Sequence, residues 1–231
     1  MKYSIIVPVF NQLEYTQKCV QSVVAMSYGY DYELIIVANG CTDKTEEWVY
    51  SNRDSSIVLC SYKEPLGFGG ATNAGMRLSR GEYLILLNND CVILPPIFDL
   101  SWLDLLEQPF AEPKMGITGP LLYWSEITKM WALIFFCVMI HRTVIDKIGF
   151  LDVETFPIGA GEDTDFCARA QEAGFLLAQV PSSPWSQGTE HMVGGFPIYH
   201  VGEGTLNHIP NWNEKLYWEH REALRRKYAD K

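Results

Sequence analysis

The chain has 231 residues, 48% of them hydrophobic and 20% charged, with a formal net charge of −10. That is enough apolar material for a sizeable core and too ordinary a charge content for wholesale disorder. The acidic balance argues against non-specific nucleic-acid binding, so a phosphorylated ligand here needs a metal ion or a local basic group.

In chain order, residues 3–11, YSIIVPVFN, read as a buried strand that ends in a loop. Residues 15–26 have helical spacing, with Cys19, Val20, Val23 and Val24 on one side. YELIIVANG, residues 32–40, is a second strand running into a turn, after which Thr42 and Asp43 offer caps for a helix to Tyr50. SIVLCSY, residues 56–62, is a third strand, and GFGGATNAGMRLS, residues 67–79, is a glycine-rich turn entering a helix. EYLILLNND, residues 82–90, is the fourth strand. Alternating strands and helices at this spacing predict an α/β fold, with a mostly parallel sheet covered on both faces. Ligands of such sheets bind beyond the carboxyl ends of the strands, where Asn11, Asn39 and Asp90 fall.

The second half is less regular. Residues 115–124 look like a strand plus turn, 133–142 another strand, 142–149 a short helix closed by glycine, and 161–174 a helix with acids in its first turn. FLLAQV follows as a strand. PSSPWSQGTEHMVGGFP, residues 181–197, is a long loop, taken as a lid or acceptor loop, and residues 212–231 are a polar amphipathic helix. With no internal repeat or linker, one domain is expected over residues 1–231. The apolar run MWALIFFCVMI, residues 130–140, is too short to span a bilayer. No signal-peptide pattern follows Lys2, and the six cysteines form no C-x-x-C pair, so a reducing cytoplasm is expected.

Four features carry chemistry. The G-x-G-G spacing of GFGGATNAG, after the third strand, does not fit a dinucleotide-binding fingerprint; close helix packing or backbone approach to a ligand explains its glycines better. Asn88 and Asp90 form a D-x-D-like pair at a strand end, suited either to a hard cation on a diphosphate or to an Asx-turn. Glu162, Asp163 and Asp165 are three acids in four positions, more than a helix cap requires, and repelling carboxylates raise one another's pKa, as a general base needs. His200, in IYHVGEGT, is either a satisfied histidine or a ligand of a Mn2+-type ion.

Together these segments resemble the nucleotide-sugar-dependent glycosyltransferases of family 2, with the GT-A fold and the bacterial rhamnosyltransferase-like branch as the likeness. The matching stretches are SIIVPVFNQLEYTQKCVQSV, ELIIVANGCTDKT, LGFGGATNAGMRLSRGEYLILLNNDCVI, IDKIGFLDVETFPIGAGEDTDFCARAQEAGF and YHVGEGT, in order over residues 3–205. The resemblance implies a nucleotide-sugar-binding half over about residues 1–92 and an acceptor-binding half over about 93–231. It implies an inverting transfer from a UDP- or dTDP-sugar to a hydroxyl of a carbohydrate or glycolipid acceptor, in polysaccharide or glycoconjugate synthesis. Pro8, Phe10, Asn11, Asn39, Gly67, Asn73, Asn88 and Asn89 would contact the donor. Asp90 and His200 would hold Mn2+ or Mg2+. Asp163 would be the base, Glu162 would orient the acceptor, and Asp165 would fix the helix start. Ala38 stands where the family usually has an aspartate on the base, which leaves UDP against dTDP open. The rivals are a catalytically inactive sugar-binding scaffold and a sugar-1-phosphate nucleotidyltransferase; the latter wants a glycine-rich basic loop that VPVFNQLEY lacks. No nucleic-acid partner or transmembrane segment is expected, and the mildly basic tail leaves room for a peripheral membrane contact.

Overall fold

The computed structural model describes residues 1–95, 99–180, 195–202 and 214–229. The loop expected over 181–197 therefore lies, except for its last three residues, outside the described residues.

In the first part, β1 (Tyr3–Val9), α1 (Leu13–Met26), β2 (Tyr32–Asn39), α2 (Thr45–Asn52), β3 (Ile57–Tyr62), α3 (Gly67–Leu78) and β4 (Tyr83–Leu87) alternate as the periodicity predicts. Next come β5 (Cys91–Ile93), α4 (Trp102–Glu107), β6 (Met115–Gly119), β7 (Leu122–Ser125), β8 (Met130–Leu133) and β9 (Cys137–His141). The chain continues through α5 (Arg142–Ile148), α6 (Glu162–Glu172), β10 (Leu176–Gln179), β11 (Ile198–His200) and α7 (Glu214–Lys227).

Seven strands form one sheet in the order β10-β6-β9-β4-β1-β2-β3. Only β9 runs against its neighbours, antiparallel to both β4 and β6. Alternate residues of the central strands face opposite layers, which explains why these strands read as unbroken apolar runs. Ile5, Val7, Leu34, Ile36 and Ile85 pack on one face with Cys19 of α1, Val49 of α2 and Trp102 of α4. Ile6, Ile35, Val37 and Leu84 pack on the other with Ala71 of α3, Val144 of α5 and Phe166 of α6. Each fully buried Val, Leu, Ile or Phe among them contributes about 1.5–3 kcal/mol by leaving water. Gly75 lets α3 press onto the sheet: a Cβ there would stand 2.4 Å from Ile6 Cγ2.

Three expectations need correction. The fourth strand ends at Leu87, not Asp90, and Asn88–Asp90 turn into β5. Residues 133–142 are not one strand: β8 ends at Leu133, residues 134–136 turn, and β9 starts at Cys137. The break is forced because β8 pairs with β7 in a separate ribbon while β9 enters the main sheet. Helix α4 was not expected; Ser101 and Asp104 close a capping box around its start.

The chain leaves β1 for β2 and β3 on one side, then crosses to β4 on the other. That reversal opens a crevice at the carboxyl ends of β1 and β4. Among the described residues, no helix is long and apolar enough to cross a membrane.

Candidate active site

A cavity of about 540 Å³ occupies that crevice. Pro8 lines it from β1 and Phe10 from just beyond that strand, Asn39 from β2, and Asn88, Asn89 and Asp90 from the turn after β4. Gly67 and Phe68 face it at the start of α3, and Glu162 and Asp163 at the start of α6.

The pairing of β5 with β11 brings the distant histidine in. His200 sits opposite Cys91 in this antiparallel ribbon, and Val201 N donates to Asp90 O at 3.2 Å. His200 Nε2 consequently lies 3.3 Å from Asp90 Oδ1. With Cys91 Sγ they make three donor atoms within 4.8 Å of one another. The imidazole is stacked flat on Phe136, with centroids 4.4 Å apart and planes 8° apart, which fixes its orientation. Asn88 N donates to Phe136 O at 2.8 Å, holding the strand end beside that ring. Asn88 Oδ1 is buried and has no hydrogen-bond partner among the described residues. An acceptor left so costs about 1–3 kcal/mol, which a ligand could recover.

Across the cavity, α6 begins after three consecutive residues at positive φ: Gly159 at 143°, Ala160 at 66° and Gly161 at 126°. For Ala160 that backbone costs about 1–2 kcal/mol, strain of the kind that accumulates at functional sites. The turn aims the first residues of α6 inward. Burial and the neighbouring Asp163 charge push the Glu162 carboxyl up to about 8. Its Oε2 is buried with no hydrogen-bond partner among the described residues. Burial also raises Asp163, opposed by hydrogen bonds from Thr164 and the charge of Arg221. Thr164 N donates to Asp163 Oδ1 at 2.6 Å, and Thr164 Oγ1 lies 2.6 Å from Tyr123 Oη.

Asp165, fully buried, points away from the cavity lining. It accepts from Arg169 Nε at 2.8 Å, Lys227 Nζ at 2.7 Å and Tyr228 Oη at 3.0 Å. It anchors the end of α7, and His220 of that helix bonds Gly159 O. Tyr217 of α7 thereby reaches the cavity.

Two of the donor-contact residues implied by the resemblance do other work. Asn11 Oδ1 accepts from Thr42 N at 2.7 Å and Asp43 N at 3.2 Å, tying the β1 and β2 loops together. Asn73, almost fully buried, exchanges both amide bonds with the Leu151 backbone, at 2.9 and 3.0 Å. Neither lines the cavity. Asn39 lines it, yet its Oδ1 accepts from Leu66 N at 2.6 Å and its Nδ2 donates to Gly67 O at 3.2 Å. Asn89 Nδ2 likewise donates to Thr16 Oγ1 at 3.2 Å. Ala38 is wholly buried and is not part of the lining. Ile134, Phe135, Phe136, Ala160 and Tyr217 line the cavity and were not foreseen. The first three were hidden inside an apolar run that read as strand.

Residues 4–111 match the family model described as glycosyl transferase family 2. An uncharacterised glycosyltransferase of Rickettsia typhi is 37% identical over 171 residues, covering 64% of this chain and 53% of the relative. The O-antigen biosynthesis protein RfbC of Myxococcus xanthus is 30% identical over 136 residues, 57% of this chain and 10% of its own length. This chain thus spans between a tenth and about half of those relatives. A mannosyltransferase from Pyrobaculum calidifontis, solved with GDP-Man and Mn2+, superposes with a TM-score of 0.64 at 18% identity, over 78% of this chain and 55% of that one. TarS of S. aureus, solved with UDP, gives 0.60 at 17% identity, over 79% and 59%. At such identity these likenesses show the fold, which is GT-A.

Proposed function

We propose that this chain is a member of glycosyl transferase family 2, whose model matches residues 4–111, and that it moves a sugar from a nucleoside-diphosphate donor to an acceptor hydroxyl with inversion at the anomeric carbon. One observation carries the reading: the pairs Asp90–His200 and Glu162–Asp163 face a single cavity at the carboxyl end of the sheet. The solved neighbours that hold GDP-Man or UDP support a nucleotide-sugar donor. In this reading the first half of the chain holds the donor and the second half the acceptor.

Mn2+ or Mg2+ fits the donor atoms present. Two ligands on adjacent corners of an octahedron with bonds of about 2.1 Å stand roughly 3 Å apart, and Asp90 Oδ1 and His200 Nε2 are 3.3 Å apart. Bound there, the ion would offset the negative charge of the departing diphosphate. Asp163 takes the proton of the acceptor hydroxyl. Thr164 occupies its Oδ1, which leaves Oδ2 for the transfer. Burial makes that carboxylate a stronger base than one in water. Glu162, holding its proton near neutral pH, donates a hydrogen bond that orients the acceptor. The hydroxyl oxygen then attacks the anomeric carbon from the face opposite the diphosphate.

The test is nucleotide release from UDP-, GDP- and dTDP-sugars with an acceptor panel, and the anomeric configuration of any product by NMR. Asp163→Asn should slow transfer by about 10²–10⁴-fold, the usual worth of a general base, with nucleotide affinity unchanged. Retained configuration, or turnover within a few-fold of wild type, would defeat the reading.

A further inference from the structure

The ribbon of β7 and β8 is fastened along one face of α6, the helix that begins with Glu162 and Asp163. Gln171 Nε2 donates to Trp131 O at 2.7 Å, Leu133 N donates to Cys167 Sγ at 3.4 Å, and Tyr123 Oη lies 2.6 Å from Thr164 Oγ1. Thr164, Cys167 and Gln171 stand three and four residues apart, so these contacts fall on successive turns of one helical face. Tyr123 sits opposite Ala132 in the ribbon, and Ala132, Thr164 and Cys167 are buried. The contact at Thr164 is the one next to the base, since Thr164 directly follows Asp163.

Proton counting fixes the direction of the hydrogen bonds there. Asp163 Oδ1 accepts from Thr164 N at 2.6 Å and from Thr164 Oγ1 at 3.2 Å. A hydroxyl has one proton to give, and Thr164 spends its own on the carboxylate. Tyr123 is therefore the donor in its contact with Thr164 Oγ1. Burial pushes the Tyr123 phenol up, so its proton stays in place at neutral pH. The result is a chain from Tyr123 O–H to Thr164 O–H to Asp163 Oδ1, in which each bond polarises the next. Its last acceptor is the carboxylate, so the chain favours the ionised form.

Resting on the transferase reading above, we propose that Tyr123 is a positioning residue: acting through Thr164, it holds Asp163 with Oδ1 occupied and Oδ2 turned to the acceptor hydroxyl. The other titratable or charged groups that interact with Asp163 are Glu162 beside it, Cys167 one turn along α6 and Arg221 of α7. Glu162 competes with Asp163 for a proton, burial keeps the Cys167 thiol neutral, and the Arg221 charge supports the ionised base. Among the described residues, Thr164 alone hydrogen-bonds the Asp163 carboxylate with its side chain. The orientation of the base thus rests on Thr164 N and on the chain that starts at Tyr123. Without the Tyr123 hydroxyl, the Thr164 hydroxyl is a weaker donor and Asp163 is held less firmly.

The test compares wild type with Tyr123→Phe, which keeps the ring and its packing, with Thr164→Val, with the double variant and with Thr164→Ser. One readout needs no turnover: the carboxyl carbon of Asp163 is titrated by NMR in protein labelled with 13C-aspartate, assigned through Asp163→Asn. The other is kcat and donor KM, across pH, for nucleotide release from the sugar nucleotide that wild type turns over fastest. Tyr123→Phe should raise the Asp163 midpoint by roughly 0.3 of a pH unit or more. The acid limb of kcat/KM should move up with it, and kcat should fall about threefold or more with donor KM unchanged. Thr164→Val should cost more, Tyr123→Phe should add nothing to it, and Thr164→Ser, which keeps the hydroxyl, should recover most of the loss. The proposal fails if Asp163 titrates alike in wild type and Tyr123→Phe, or if the loss falls on KM alone. It fails equally if Tyr123→Phe slows the Thr164→Val chain as much as it slows wild type. No nucleotide release by wild type from any sugar nucleotide, with the Asp163 shift present, would count against the transferase reading instead.

Discussion

Replacing Glu162 by glutamine should stabilise the protein, and by more as pH rises. The folded chain keeps a proton on Glu162 up to about 8, against an ordinary value of 4.5. Between those values the folded state binds a proton that the unfolded state has released, so stability falls as pH rises. Each pH unit in that window costs up to about 1.4 kcal/mol, or on the order of 4–5 kcal/mol in full. Asp163 competes for the same proton and is also raised by burial, so the window belongs to the pair and glutamine at 162 removes only part of the total. Glutamine carries no charge to bury. Urea unfolding of wild type and Glu162→Gln, in chelator at pH 5 to 9, should show near-equal stability at pH 5 and a gap of about 2 kcal/mol at pH 8. A gap that stays flat or shrinks with pH would refute the buried, protonated Glu162.

Other substitutions probe the scaffold. Asn73→Ala strands two buried backbone groups of Leu151 and should cost about 2–5 kcal/mol in urea unfolding; a loss below 1 kcal/mol would mean that solvent reaches them. Gly67→Ala places a Cβ 2.0 Å from Pro157 O at a φ of +72°, so at least about 2 kcal/mol of stability should go. Since Gly67 lines the cavity, calorimetry should also show weaker nucleotide binding. Lys227→Met removes the cation between Asp152 and Asp165, leaving Asp165 with Arg169; hydrogen exchange in α7 should rise at least tenfold, and unchanged exchange would remove that anchor from the account.

The first four strands and three helices were legible because each is an unbroken apolar or amphipathic run bounded by turn residues. Periodicity fails where one run serves two purposes. In residues 130–140 the apolar side chains belong first to the β7–β8 ribbon, then to the cavity wall at Phe135 and Phe136, then to the main sheet. Helix α4 had a readable signal, the Ser101–Asp104 capping box, but its six residues are too few for a period to show. The asparagines split for another reason. An amide after a strand or inside a helix suits a ligand or a neighbouring loop equally, and only the distant partner decides: Asn11, after β1, meets Thr42, and Asn73, within α3, meets Leu151. His200 reaches Asp90 through the register of a three-residue strand, which composition does not reveal.

The most direct test of the central claim is calorimetric titration of UDP, GDP and dTDP, with and without Mn2+, into the wild-type chain and Asp90→Asn. At least one nucleotide should bind tenfold or more tighter with Mn2+, and the substitution should erase that gain while the fold is kept. No nucleotide binding by the folded wild-type chain, or a metal-dependent gain that survives in Asp90→Asn, would contradict the account.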